Sequence, residues 1–254
     1  MTLNRSEFST KAWPYPRWIA HRGAGTLAPE NTLAAFRKGA EYGYRMFECD
    51  AKLSADDVVF LMHDATLHRT TNGQGIGGDH TWHQLSQLDA GQWHSRHFSG
   101  EPLPTLANLA QYCIRNHYFL NIEIKPTPGL EFKTGELVAL SAAQLWQHES
   151  VPPLLTSFQV DSLKGALQSA PHLPRGLLLH NLTPSWLETA ISLKCSAVVC
   201  NYSLWTPETV QAVHQAGMKC LSYTVNDDWA AQYLLELGTD GIITDRVDFF
   251  SPAA

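Results

Sequence analysis

The sequence predicts an α/β fold, a TIM (β/α)8 barrel with a small insertion after the second strand. Three observations carry this. Short apolar runs recur along the chain, beginning at Trp18, Tyr44, Tyr118, Leu154, Gly176, Ala197, Lys219 and Gly241. Helical patterns separate consecutive runs, the alternation that a parallel sheet requires. Polar side chains gather where the runs end, and barrels of this type build their active sites at the C-terminal ends of strands. At 254 residues and 44% hydrophobic, the chain has material for one large core. It is therefore expected to be a single barrel domain over residues 1–254, with residues 65–104 as an insertion subdomain. A two-layer doubly wound sheet is the alternative fold.

The first strand is expected over residues 18–20. Pro29-Glu30-Asn31-Thr32 then opens a helix over Leu33, Ala34, Phe36, Ala40 and Glu41, which Gly43 ends. Asn31 or Thr32 can cap its free amides; Asn31 is expected to act first as a cap, and Glu30 as a first-turn charge favoured by the helix dipole. Residues 44–50 form the second strand, and Val58-Val59-Phe60-Leu61-Met62, after a turn at Asp56-Asp57, extends it or adds to it. Residues 65–104 break the rhythm with Gly73, Gly75, Gly77, Gly78, Gly91 and Gly100. So long a structureless loop is unusual in a compact domain, so a small subdomain or lid is the better reading. A helix over 105–116 and a strand over 118–125 resume the alternation. The remaining strands are expected over 154–158, 176–180, 197–201, 219–224 and 241–244. Thr206 and Pro207 illustrate the helix starts between them, one as cap and one in the first turn.

Composition removes several functions. A formal charge of −6 leaves no basic stripe for a nucleic-acid backbone, so an anionic partner has to be held locally. Cys49, Cys113, Cys195, Cys200 and Cys220 show neither CxxC nor zinc-finger spacing, which suggests reduced thiols and a cytoplasmic location. The start, Met1-Thr2-Leu3-Asn4-Arg5-Ser6-Glu7, is polar, and no apolar run is long enough to span a bilayer; stable membrane insertion is not expected. Oligomeric state leaves no trace in the sequence.

The chemistry begins with Glu48-x-Asp50. Residues two apart on a strand share a face, so both carboxylates converge, and they repel unless a cation or proton lies between them. Glu123-x-Lys125 repeats the spacing at the end of the next strand, adding a carboxylate and a cation. His21-Arg22-Gly23 follows the first strand, and His63 ends the Val58 run.

These motifs, in order with Ala28-Pro29-Glu30-Asn31-Thr32, His63-Asp64, Arg69-Thr70-Thr71-Asn72-Gly73, Ser157-Phe158, Tyr223-Thr224-Val225-Asn226 and Gly241-Ile242-Ile243-Thr244-Asp245, resemble the glycerophosphodiester phosphodiesterase family over nearly the whole chain. The likeness is greatest to the cytoplasmic bacterial form. It implies a metal-dependent hydrolase that converts small glycerophosphodiesters, such as glycerophosphocholine or glycerophosphoethanolamine, to sn-glycerol 3-phosphate and an alcohol. By resemblance Glu48, Asp50 and Glu123 are metal ligands. Three hard carboxylates suit Mg²⁺ or Ca²⁺, with Mn²⁺ a further candidate. Arg22 and Lys125 would bind phosphate oxygens, and His21 and His63 would form the acid/base pair, with His21 as base and His63 as acid. Sequence does not fix that direction. It also leaves open whether water displaces the alcohol directly or the glycerol 2-hydroxyl first forms a cyclic phosphate. Trp229, just after the strand at 219–224, is a candidate contact to the glycerol or the leaving alcohol.

Other chemistry-bearing residues receive plainer readings. His68, His80, His83, His94 and His97 are expected at the surface or in insertion packing, and Trp82, Trp93 and Trp205 in the core. The glycines at 73–78 lack the strand-to-helix context of a phosphate loop. Asp57 stands where the family commonly has glycine, which affects the turn and not the site. Two other functions compete: a phospholipase D-like barrel enzyme acting on lysolipid or sphingolipid head groups, and a barrel that binds metal and phosphodiester without turnover. The first lacks an apolar patch or basic cluster for a membrane; the retained His21 and His63 oppose the second.

Overall fold

The computed structural model describes residues 13–252, so the polar N-terminal stretch Met1 to Glu7 lies outside the described residues. In chain order the elements are β1 (Trp18–Ala20), α1 (Leu33–Glu41), β2 (Met46–Leu53), β3 (Val59–Leu61), α2 (Trp82–Leu85), α3 (Leu106–Arg115), β4 (Phe119–Ile124), α4 (Glu131–Leu145) and β5 (Leu154–Ser157). They continue with α5 (Val160–Ser169), β6 (Arg175–Leu179), α6 (Trp186–Ser192), β7 (Ala197–Asn201), α7 (Pro207–Gln215), β8 (Lys219–Tyr223), α8 (Asp228–Glu236) and β9 (Gly241–Thr244). All strands except β3 pair in parallel, and because β1 pairs with both β2 and β9 the sheet closes into a barrel. The doubly wound alternative is thereby excluded. β3, the Val58 run, lies antiparallel on the end of β2, with Ala51 opposite Leu61.

Side-chain alternation sorts each strand into an inner and an outer face. Ile19, Met46, Leu154, Leu178, Val199, Leu221 and Ile243 point inward and pack together. Trp18, Ala20, Phe47, Cys49, Leu120 and Ile122 point outward and bury against the helices. Tyr15 closes the N-terminal end, with its ring edge-on to Trp13 and Phe119 and its hydroxyl donating to the Pro152 carbonyl at 2.8 Å. Beyond these aliphatics the interior is polar and charged, with Asn121 beside Glu48, and with Asp50 and Thr156 on either side of Glu123. Polarity therefore rises towards the C-terminal mouth.

Residues 65–104 carry short helical turns around a small apolar cluster of Phe60, Met62, Leu67, Leu85, Ala90 and Leu103. Asp89 stitches the segment together by accepting the amides of Gly91, Gln92 and Gly100. Trp205 is buried, but Trp93 is 40% exposed and is not a core residue, because its indole N–H reaches only the nearby Ala90 carbonyl. Asp57 has φ +62°, a left-handed conformation that glycine adopts without penalty and aspartate tolerates. Cys49, Cys113, Cys195, Cys200 and Cys220 are free and buried. Among the described residues no helix is long and apolar enough to cross a membrane.

Candidate active site

Register brings the carboxylates together. Glu48 lies beside Asn121 and Asp50 beside Glu123 across the β2–β4 ladder, so the inward side chains of two neighbouring strands share one small volume. One oxygen from each of Glu48, Asp50 and Glu123 lies within 4.8 Å of the others. Lys125 bonds Glu123 at 2.6 Å and stands 3.8 Å from Asp50, with its ammonium over the Phe158 ring.

β1 delivers His21 and Arg22 to the same end. The His21 amide donates to the Thr244 carbonyl, continuing the β1–β9 pairing by one residue. Its Nδ1 lies 2.7 Å from Asp245, whose other oxygen accepts from Asn226, while Nε2 is 3.8 Å from Glu48. Arg22 has φ +50° and its amide donates to Glu48, so a strained backbone position is held by the site itself. Gly23 follows at φ +100°, where a Cβ would sit 2.8 Å from that of Ala35; only glycine lets the turn pass α1 so closely.

Asn31 departs from the expected cap. Thr32 caps α1 by accepting the Ala35 amide, whereas Asn31, buried at φ +60°, donates its amide to Asp50 Oδ2 and accepts from the Asp50 backbone N–H. Glu30 likewise is no first-turn charge: it lies before the cap and bonds Arg22 and Arg69. His63 follows β3 with Nδ1 2.8 Å from Asp64.

His21, Arg22, Glu48, His63, Glu123 and Lys125 line one cleft of about 320 Å³, with Asp50 buried beneath them. Phe158, His180 and Tyr223 form the facing wall. Phe158 stacks on His180 with centroids 4.2 Å apart, and the Tyr223 hydroxyl is 2.9 Å from His180 Nδ1. Sequence reasoning assigned no role to this wall or to Asp245, although motifs containing Phe158, Tyr223 and Asp245 are present in the chain, and it read Asn31 only as a helix cap. Trp229 is not brought in: it stands 64% exposed on the first turn of α8, against Tyr202.

The charges show strain that a cation would relieve. Burial, then the neighbouring Asp50, pushes the Glu48 carboxyl up to about 8, and the same two causes raise Glu123. Burial would raise Asp50 as well, but Arg22, Lys125 and His63 hold it below the usual range. Burial opposes a proton on His21, yet Asp245 and Glu48 raise it; at His63 burial wins and lowers it. Glu48 Oε1 and Asp50 Oδ1 are buried with no hydrogen-bond partner. Such atoms are costly unless something positive meets them, so this donor set fits a hard divalent cation. A second group, His214, Cys220 and Asp240, differs: Lys219, His214 and the Cys220 amide already occupy both Asp240 oxygens.

The model of the glycerophosphoryl diester phosphodiesterase family matches residues 21–249. The chain belongs to this family. Among relatives of this phosphodiesterase chain is a glycerophosphodiester phosphodiesterase of Caldanaerobacter subterraneus, 34% identical over 89% of this chain and 93% of the relative. Another, from Bacillus subtilis, is 30% identical over 91% of this chain and 84% of its own length. Among solved structures, an Oleispira antarctica phosphodiesterase in complex with the product sn-glycerol-3-phosphate superposes with a TM-score of 0.84 at 32% identity, covering 91% of this chain and 93% of that one. The chain is a phosphoric diester hydrolase with the barrel its family relatives share.

Proposed function

We propose that this enzyme hydrolyses small glycerophosphodiesters, such as glycerophosphocholine and glycerophosphoethanolamine, to sn-glycerol 3-phosphate and an alcohol, with a divalent cation and two histidines. The observation that carries the proposal is one cleft in which Glu48, Asp50 and Glu123 converge, two of them with a buried oxygen that accepts no hydrogen bond, between two imidazoles and two cations. Glu48, Asp50 and Glu123 would hold Mg²⁺ or Ca²⁺, with Mn²⁺ a third choice; when bound, the ion offsets charge on a phosphate oxygen. Arg22 presents a planar fork and Lys125 a point charge to the remaining phosphate oxygens.

His21 takes the proton from the attacking oxygen, and His63 donates one to the departing alkoxide, each contributing about 10²–10⁴-fold. Their Nδ1 atoms are held by Asp245 and Asp64, which leaves each Nε2 for the substrate. The more exposed His63, on the insertion side, suits the leaving alcohol. Against burial, Asp245 and Glu48 raise the His21 imidazole, and burial lowers that of His63, directions opposite to those these roles call for. Part of that pull is Glu48, itself one of the proposed ion ligands. The five buried free thiols suit the cytoplasmic location that we also propose.

A coupled assay for glycerol 3-phosphate released from glycerophosphocholine tests this reading. Release that EDTA abolishes and Mg²⁺, Ca²⁺ or Mn²⁺ restores is expected. No release with any of the three, or turnover of sphingomyelin or lysolipid in its place, contradicts it.

A further inference from the structure

Arg69, in the insertion, lies outside the cleft lining, yet its guanidinium is gripped from two sides. Nε and one terminal nitrogen donate to the Asp64 carboxylate at 2.6 and 3.0 Å; the terminal nitrogens donate to the two Glu30 oxygens, each at 2.7 Å. Asp64 Oδ1 in turn lies 2.8 Å from His63 Nδ1, and Glu30 Oε1 accepts from Arg22 at 2.8 Å. His63, Asp64, Arg69, Glu30 and Arg22 therefore form one continuous chain of charge-assisted contacts across the cleft rim.

We infer that Arg69 is a positioning residue, which fixes His63 as proton donor by clamping Asp64 against Glu30. The inference rests on the reading of His63 as the acid. A lone surface ion pair would carry little weight, since Arg69 is 39% exposed. Two bidentate grips are different, because the planar fork can satisfy both carboxylates in one orientation only. Both carboxylates are mostly covered, Glu30 at 12% and Asp64 at 25% side-chain exposure. The backbone beneath is anchored too: Leu67 is buried in the insertion cluster, and its carbonyl accepts both the amide and the hydroxyl of Thr71. Without Arg69, Asp64 can swing to water, and the His63 ring loses the partner that fixes its orientation and its Nδ1 proton.

A leaving-group comparison separates this from a role in folding. Choline leaves as a basic alkoxide that needs a proton; p-nitrophenolate leaves without one. kcat is measured with glycerophosphocholine and with the p-nitrophenyl ester of glycerol phosphate. His63→Ala is expected to lose about 10²–10⁴-fold on the first and far less on the second. Arg69→Ala is expected to show the same split at about 10–100-fold, with KM little changed and Arg69→Lys restoring part of the loss. Equal losses on both substrates, a change in KM alone, or unchanged turnover of glycerophosphocholine would overturn the inference. Should Arg69→Ala not fold, Asp64→Asn is read in the same way: the split supports the inference, and equal or absent losses overturn it. If His63→Ala itself shows no split, the acid assignment falls and takes this inference with it. A split in His63→Ala without one in the Arg69 variants defeats the inference alone.

Discussion

Glu48 concentrates the conflict of the site in one side chain. It is buried beside Asp50, its Oε1 has no partner, and its carboxyl is pushed up to about 8 by burial and then by Asp50. Glu48→Gln replaces the ionisable carboxyl with a neutral amide of nearly the same shape. At pH 7, above the ordinary carboxyl value and below the raised one, folding must protonate the parent's Glu48, so we expect the EDTA-treated variant to be more stable than the parent by about 1–3 kcal/mol. The rise in Tm that Mg²⁺ or Ca²⁺ gives the parent should vanish. A variant less stable than the EDTA-treated parent, or one still stabilised by the cation, would contradict this account of the residue. The Glu-x-Asp spacing was legible because strand geometry alone makes two such side chains converge. Asn31 was not: its sequence context is that of a helix cap, and only the tertiary approach of the β1–α1 loop to β2 turns its amide onto Asp50. The same applies to Asp245, which is 224 positions from the histidine it holds.

Strands and helix starts were legible as elements because their signals are local. Residues 18–20, 197–201 and 241–244 appear as read, and Thr105 and Thr206 cap α3 and α7. Contacts between elements carry no such signal, and Asp240 shows one at the N-terminal side of the barrel. Just before β9, it accepts from Lys219 and the Cys220 amide of β8 and pairs with His214 of α7. Burial would raise this carboxyl, but Lys219, the Cys220 amide and His214 hold it below the usual range. A carboxylate with a lowered folded pKa stabilises the fold at pH above its ordinary value of about 3.9, and that contribution is lost as pH falls through the folded value. Asp240→Asn should therefore cost about 1–3 kcal/mol near neutral pH, and the gap should close in more acid solution. Urea midpoints of both proteins across that range check this; a gap that stays constant would contradict it.

Across the whole molecule, the barrel sets an apolar plug at one end and charge at the other. Tyr15 and the inward aliphatics fill the lower interior, so the core is finished before the strands reach Glu48, Asp50 and Glu123. That division allows strained carboxylates to persist, since stability comes from packing elsewhere. The glycines of residues 73–78 gave no hint that Arg69 of the insertion would reach Glu30, just ahead of α1. The side facing Phe158, His180 and Tyr223 was equally silent, because those residues come from three separate strand ends. On the function proposed for this site, turnover depends on a cation held by Glu48, Asp50 and Glu123. The most direct measurement titrates Mg²⁺ or Ca²⁺ into EDTA-stripped protein, recording heat and glycerophosphocholine hydrolysis on the same sample. Activity should rise from background in step with occupancy, and neither signal should appear in Glu48→Gln; full activity in the stripped protein, or binding that leaves hydrolysis unchanged, would contradict the claim.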